Sequence, residues 1–451
     1  MKTMKKTIVA LSALSSTTRV VYVVEQVIAH LLVPPLFLLM LLRSRKEPAH
    51  LQNLSHRFGF GAVKQKRAVW IYAASLGETR AASSLIRRLR AGGFKVLLTH
   101  QSPAGLAEGA RLFTKDSGVQ QCYIPFDLFW AVRIFLRRFK PVALVVLEIE
   151  IWPAMLIETA RKGIPIVMAN GNLLEKSIGD GRGVRRHLLT LYHLFSHIFT
   201  RTDDYRDRYL RIGVDPARLS VVGDMKFDQV IDPIHLLMAE SVRSNLRGAE
   251  RVLMIASSVE AEETLLVPMV ARLLSKDSSL RVIWAPRSPQ RFQSVSDALS
   301  ALGINTTLRS TLGPEMSAPM PQTQVLVGDS TGEMNAYYSV ADLVFVGASL
   351  VDHGGHNIIE PMMLGRPVVM GPSTFGIDFA AVPAGLAGAF ESLPNAAHLE
   401  ARIIEILADP AALARMADAA MGFTIDKTGA ANKTFLGLLT LLEAPTEVAS
   451  E

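Results

Sequence analysis

The stretch that most constrains this chain runs from Ala341 to Pro372. Ala341-Asp-Leu-Val-Phe-Val346 is a short apolar run rich in β-branched and aromatic residues, the pattern of a buried strand. It feeds Gly347-Ala-Ser-Leu-Val-Asp-His-Gly-Gly-His-Asn-Ile-Ile-Glu-Pro361, and Pro367-Val-Val-Met370 then reads as a second strand. A short helix fits between Asn357 and Gly365. Strand, glycine-rich loop, helix, strand is the repeating unit of an open α/β sheet. In such sheets the loop lies at the carboxyl ends of the strands, where ligands bind.

The loop residues suggest which ligand. Gly354-Gly355 lets the backbone turn tightly and come close to a bound group. Asn357 suits an N-cap, and Pro361 suits the first turn, where its missing N–H costs little. A helix start there offers free N–H groups and a positive dipole end to a phosphate, and Glu360 is placed to accept hydrogen bonds from ribose hydroxyls. Asn357-x-x-Glu360 is equally a capping box. Capping accounts for those two residues but not for His353-Gly-Gly-His356 in front of them, which favours a nucleotide site.

At 451 residues and 49% apolar content, two sizeable domains are expected. The single cysteine, Cys122, excludes an internal disulfide and a cysteine-based zinc site. The net charge of +7 is concentrated. Arg43, Arg45, Lys46, Arg57, Lys64, Lys66 and Arg67 face only Glu47 within that span. No basic block is interleaved with aromatic residues, so nucleic acid is not an expected partner. Ahead of the basic run, Val20 to Leu42 is apolar but for Glu25, Gln26, His30 and the Pro34-Pro35 pair. It is long enough to cross a bilayer, while its glutamate and prolines argue against a simple spanning helix. Leu41-Leu42 runs straight into Arg43, with no small-residue cleavage site for a signal peptide. A single anchor with its basic side cytoplasmic and a helix lying in the membrane face both remain, although Lys2, Lys5 and Lys6 make the other flank basic too. The expectation is an uncleaved, membrane-associated N-terminus with the remainder cytoplasmic.

In chain order, Ala68 to Ala74 is an apolar strand, Ser75-Leu-Gly-Glu78 a loop, and Thr79 to Arg90 a helix stopped at Gly92-Gly93. Glu78 sits at the hand-over, where an acidic residue also complements the helix dipole. Val142 to Leu147 is a buried strand delivering Glu148-Ile-Glu150-Ile-Trp-Pro153. Of these two carboxylates, one is expected to face a site. Burying both would be costly, which calls for a function or a basic partner. Val221 to Asp228 places Lys226 among turn residues, and the interdomain linker is expected around 230–250. The second half begins again with a strand at Arg251 to Ser257, then acidic Glu260, Glu262 and Glu263. Arg287, just past the Leu280–Ala285 strand, is placed to hold a phosphate. The chain shows no GxGxxG, P-loop, HExxH or GxSxG, so the chemistries those motifs signal lack support.

Six segments together resemble a known family. Ser75-Leu-Gly-Glu78, Glu148-Ile-Glu-Ile-Trp-Pro153, Gly223-Asp-Met-Lys-Phe-Asp228, Ala285-Pro-Arg287, Gly328-Asp-Ser-Thr-Gly-Glu333 and Gly354-Gly-His-Asn-Ile-Ile-Glu360 occur in the order and approximate spacing of the lipid A Kdo transferases (3-deoxy-D-manno-octulosonic acid transferases). The resemblance implies an α/β, GT-B glycosyltransferase: two Rossmann-like, doubly wound domains facing a cleft, behind an N-terminal membrane-associated helix. It divides the chain into an anchor at 1–45, an acceptor domain at 46–230, a CMP-sugar domain at 231–430 and a C-terminal helix and tail at 431–451. By motif, Glu78 resembles the family's general base, and Glu150 and Lys226 its supporting residues. Pro286, Arg287, Thr331, Gly332, Glu333, Asn357, Ile358, Ile359 and Glu360 resemble its CMP-sugar contacts.

The implied reaction is an inverting transfer of Kdo from CMP-Kdo to a lipid A precursor (a lipid IVA-like acceptor) at the cytoplasmic face of the inner membrane, with no catalytic metal. A UDP-sugar-dependent GT-B enzyme and a tethered sugar-nucleotide-binding protein without activity are the alternatives. Three positions depart from the family pattern. Ser288 stands where a histidine follows Pro-Arg, Asn170-Gly-Asn172 replaces Asn-Ala-Arg, and Asp378-Phe379 replaces Asn-Phe. Glu78, Arg287 and Glu360 are intact.

Overall fold

The computed structural model describes residues 16–45, 51–62, 64–114, 116–179, 183–246, 251–320 and 322–443. Lys2, Lys5, Lys6, Lys46, Glu47 and the tail from Pro445 lie outside them. The chain divides into two compact units, residues 1–230 with 428–451, and residues 231–427.

The first unit is a seven-stranded sheet in the order β3-β2-β1-β4-β5-β6-β7. Its strands are β1 Val69–Tyr72, β2 Val96–His100, β3 Val119–Tyr123, β4 Ala143–Leu147, β5 Ile166–Gly171, β6 His197–Thr200 and β7 Leu219–Val221. Every pairing is parallel, with Ile71 opposite both Leu98 and Val145. Such sheets are covered on both faces, and β1 shows how. Trp70 and Tyr72 enter one core with Phe135, Leu144 and Met155, while Val69 and Ile71 enter the other with Leu85, Leu89 and Leu438. That is why the strand reads as a continuous apolar run rather than an alternating one.

The second unit repeats the plan in the order β10-β11-β9-β8-β12-β13-β14. Its strands are β8 Arg251–Ser258, β9 Leu280–Pro286, β10 Thr306–Leu308, β11 Val325–Val327, β12 Leu343–Val346, β13 Val368–Met370 and β14 Phe390–Ser392, again all parallel. In each sheet the strand order reverses beside the unit's first strand, at β1–β4 and at β8–β12. Such a reversal opens a crevice at the carboxyl ends. Residues 233–245, where a linker was expected, are a helix of the second unit. The last helix, Ala430–Glu443, belongs to the first. Its start is capped by Asp228, whose carboxylate accepts from the N–H groups of Gly429 (2.6 Å) and Ala431 (2.7 Å). Gly437 lets that helix close on Phe199, whose ring lies 2.4 Å from where a Cβ would stand.

The N-terminal helix is unbroken from Ser16 to Ser44 and runs through Pro34-Pro35. Thr18, Tyr22, Gln26 and His30 recur every fourth residue and so share one face. That polar face is turned toward the protein. Gln26 donates to the Asp127 carbonyl (3.0 Å) and accepts from the Phe129 N–H (2.8 Å). Trp130 donates to His30 Nε2 (3.0 Å), and Tyr22 reaches Glu158 (3.4 Å). Most of its apolar residues point outward, among them Leu31 at 72% exposed and Leu38 at 58%, while Met40 near its end is buried. The usual arrangement of a surface helix, apolar inward and polar outward, is inverted.

Candidate active site

β1 ends at Tyr72, and the chain turns at Ser75 into the Leu76–Ala91 helix. Ser75 is the N-cap, its Oγ accepting from the Glu78 N–H (3.3 Å). The Glu78 carboxylate folds back over the cap, accepting from the Ala74 N–H (2.8 Å) and the Ser75 hydroxyl (3.1 Å). The carboxylate is therefore fixed in direction and 9% exposed. Burial pushes its pKa up to about 7, the Ala74 bond opposes this, and the negative charges of Glu148 and Glu150 add to the rise.

Those two acids follow β4. They do not extend the strand: β4 ends at Leu147 and Glu148 is left-handed, with φ +58°. Glu148 instead pairs with Lys226 at 2.9 Å, and Asn172 approaches it at 3.5 Å. Glu150 accepts from Trp152 Nε1 (2.7 Å), with the Tyr72 hydroxyl at 3.3 Å. Each acid thus has its own partner, and Glu148 is the one with the cation.

Lys226 is aimed by a buried network. Asp224 Oδ1 accepts from the Lys226 N–H (2.9 Å) and from Asn170 Nδ2 (2.9 Å), while Asp224 Oδ2 pairs with Arg201 (3.0 Å). Asn170 Oδ1 in turn accepts from the Met225 N–H (3.0 Å). Burial works against the Lys226 charge, but Glu148 and Asp224 hold its pKa above the ordinary lysine value.

In the second unit, Pro286 closes β9 and is buried, and Arg287 is exposed just beyond it. The Arg287 N–H is tied to the Ser258 carbonyl (2.9 Å), and the residue makes no ion pair among the described residues. It lies near the glycine-rich loop: burial, then the charges of Arg287 and His353, push His356 down to about 4. Neutral His356 keeps its Nε2 buried without a hydrogen-bond partner.

The loop itself hangs on Glu262. This fully buried carboxylate accepts from the N–H groups of Ala348 (2.6 Å), Ser349 (2.7 Å) and Leu350 (2.8 Å). Gly355, at φ +73°, holds a left-handed conformation that a side chain would strain, and a Cβ would stand 2.5 Å from the Met370 methyl. Beyond it the structure corrects the expected helix start. The N-cap is Ile358, not Asn357; the helix is only Ile359–Met363, and Pro361 is its third residue. Asn357 Oδ1 accepts from the Ile359 N–H (3.0 Å), and its amide donates to Glu360 (3.2 Å). This is an Asx turn bracing Glu360, not a capping box. A helix of five residues sums few peptide dipoles, so the cation at this end of the sheet is Arg287.

Thr331 is exposed, and Gly332 takes φ +94°. Glu333 is held by Arg309 through two bonds of 2.6 and 2.7 Å, so its carboxylate orders the loop from within. The structure therefore gathers Glu78, Glu150 and Lys226 in the first unit, with Glu148 among them. In the second it brings Arg287 to the His353–His356 loop. Arg201 was missed in the sequence, although it stands just past β6 as Arg287 stands past β9. The same rule would have found it.

Comparison with known proteins follows the same division. Residues 52–229 match the family model for 3-deoxy-D-manno-octulosonic-acid transferase, and residues 319–422 match glycosyl transferases group 1. A 3-deoxy-D-manno-octulosonic acid transferase of Bordetella pertussis is 32% identical over 372 residues, 81% of this chain and 85% of that one. One of Haemophilus influenzae is 30% identical over 420 residues, 92% of this chain and 96% of that one. Among solved structures, a UDP-GlcNAc 2-epimerase of Neisseria meningitidis superposes with TM-score 0.59 at 16% identity, over 82% of this chain and 99% of that one. A glycosyltransferase of Rickettsia africae gives 0.55 at 13%, over 85% and 100%. These distant likenesses establish the GT-B fold. With two relatives at 30% identity or more along most of its length, the chain belongs to the 3-deoxy-D-manno-octulosonic acid transferase family of glycosyltransferases.

Proposed function

We propose that this Kdo transferase takes its sugar from CMP-Kdo and delivers it, with inversion, to a hydroxyl of a lipid A precursor, with Glu78 as the general base. The observation that carries this reading is the Glu78 carboxylate: fixed by Ala74 and Ser75, and raised to about 7 by burial and by two neighbouring acids. A base works best when its pKa lies near the working pH. In the proposed step the acceptor hydroxyl bonds to the anomeric carbon as the bond to the CMP phosphate breaks. The hydroxyl proton passes to Glu78, and CMP leaves with the electron pair. Arg287, without a carboxylate partner among the described residues, is suited to the phosphate charge, which is largest as CMP departs. Lys226, steadied by Asp224, pairs with Glu148, the acid whose charge reaches the base.

The membrane is the proposed working surface, at the cytoplasmic face of the inner membrane. The N-terminal helix is apolar enough to cross a bilayer, with a mean hydropathy of 1.9 in the most apolar 18-residue stretch of its candidate span. Crossing would strip Tyr22, Gln26 and His30 of the partners they hold on the first unit. The inverted helix is better served lying in the interface, polar face on the protein and apolar face in lipid.

Three outcomes follow. Glu78→Gln should fold and bind CMP as the wild type does, but lose turnover by about 10²–10⁴-fold, and wild-type activity should fall as pH drops through about 7. The stability sign is opposite to that of a salt-bridged acid. A raised carboxyl pKa penalises the folded state from the ordinary 4.5 upward and fully above 7. The variant lacks that penalty, so its melting temperature relative to wild type should rise with pH across this window. A stable Glu78→Gln enzyme with normal turnover would move the base elsewhere.

Arg287→Ala should weaken CMP binding by about one to two decades in a calorimetric titration, the worth of a hydrogen bond to a charged group. Unchanged affinity would place Arg287 outside the donor site.

Washing membranes with high salt should leave the wild-type protein bound, because burial of apolar surface is not screened. The triple variant Leu31→Ser, Leu38→Ser, Leu42→Ser, which alters only exposed side chains, should be released. Release of the wild type by salt alone would contradict an apolar membrane contact.

A further inference from the structure

Between the N-terminal helix and the body of the first unit lies a cavity of about 440 Å³, within the range of roughly 300–1,000 Å³ usual for ligand pockets. Its wall is apolar: Val33, Leu36 and Met40 from the helix, and Leu128, Val132 and Met155 from the body. Trp152 lines it too, and Trp152 is the residue that holds Glu150. At the same end lie Gln101 and Ser102, whose N–H groups both donate to the Ala74 carbonyl (3.2 Å). The other face of Ala74 donates its N–H to Glu78. The cavity is therefore separated from the base by one residue.

The charges in the wall select the occupant. Arg57 is 8% exposed and lies over the Tyr123 ring at 4.2 Å. It donates to the carbonyls of Gln101 (2.5 Å) and Ile124 (3.4 Å), and it pairs with no carboxylate among the described residues. Asp127 is spent on the N–H groups of Ala154 and Met155. Glu25 keeps one oxygen without a partner, and burial pushes its pKa up to about 7, so it carries less than a full charge at neutral pH. A long apolar pocket holding one un-neutralised guanidinium, next to the catalytic acids, complements an anionic amphiphile.

We propose that this cavity receives an acyl chain of the acceptor, clasped between the N-terminal helix and the first unit, so that the acceptor hydroxyl is presented to Glu78. The inference rests on the acceptor being a lipid, and it gives the helix a second task. Its outward face meets the bilayer, and its inner edge forms one wall of the acceptor site.

The test is a ladder of glucosamine disaccharide bisphosphates carrying one acyl chain, from acetyl to myristoyl, kept below the concentration at which they aggregate. Kdo transfer from CMP-Kdo is measured for each. In a cavity of fixed volume KM should fall about fourfold per added methylene and then level off once the space is full; partition into a membrane or micelle has no such plateau. Ala29→Trp, which fills the cavity from the helix side, should move the plateau to shorter chains. Val132→Ala, which enlarges it from the body side, should move it to longer ones. KM indifferent to chain length, a fall without a plateau, or a plateau that neither variant moves would overturn the acyl site. Transfer to no member of the ladder would overturn the lipid-acceptor reading, and the acyl site with it.

Discussion

Burying carboxylates at the ends of parallel strands is the constraint on which this structure depends. A buried ionised group is tolerated only when hydrogen bonds or an opposite charge compensate it. The chain meets that requirement differently at each acid. Glu262 receives three N–H groups and thereby shapes the glycine-rich loop. Asp224 is neutralised by Arg201 and steers Lys226. Asp228 caps the final helix. Glu148 takes Lys226, and Glu150 takes the Trp152 N–H. Within the candidate site, Glu78 is left beside like charges with only neutral donors, and its pKa rises accordingly. The proposed base is thus the acid of the site whose burial is least compensated.

Backbone strain marks the same places. Glu148 and Asn170 in the first sheet, and Ser257 and Ala348 in the second, all have positive φ without being glycine. All four stand at or just past the carboxyl ends of β4, β5, β8 and β12. A left-handed residue there turns the chain sharply out of the strand and re-aims the side chains that follow. Such conformations persist where the surrounding contacts over-determine them. Asn170 is held by Asp224 and Met225, and the Ala348 N–H is held by Glu262. The strain recurs in two sheets of unrelated sequence, which ties it to the site architecture rather than to one local accident.

Much of the fold was legible because a strand covered on both faces must be apolar throughout. Val142 to Leu147 and Ala341 to Val346 could be read on that ground alone. Glu78 was legible as an acid where a strand hands over to a helix, but the Ser75–Glu78 stretch read as a loop is the cap and first turn of a helix that starts at Leu76. Other features were hidden for physical reasons. Glu148 and Glu150 read in sequence as an extended strand end, whereas the left-handed Glu148 turns the chain away from it. The Asn357 cap failed because its side chain bonds the Ile359 N–H in a turn before the helix begins. The pairing of Lys226 with Glu148 joins residues far apart in sequence, and no local pattern announces it. The N-terminal helix was ambiguous because its hydropathy says how apolar it is, whereas the four-residue spacing of Thr18, Tyr22, Gln26 and His30 says which face meets protein.

Glu78 is a carboxylate poised to change protonation near neutral pH. Infrared difference titration reads this directly, comparing the carboxyl bands of wild type and Glu78→Gln across pH 4 to 9, a range spanning the ordinary value of 4.5 and the raised value of about 7. The account predicts one carboxyl band, present in the wild type and missing from the variant, that titrates with a midpoint near 7. A midpoint at the ordinary 4.5 would contradict it.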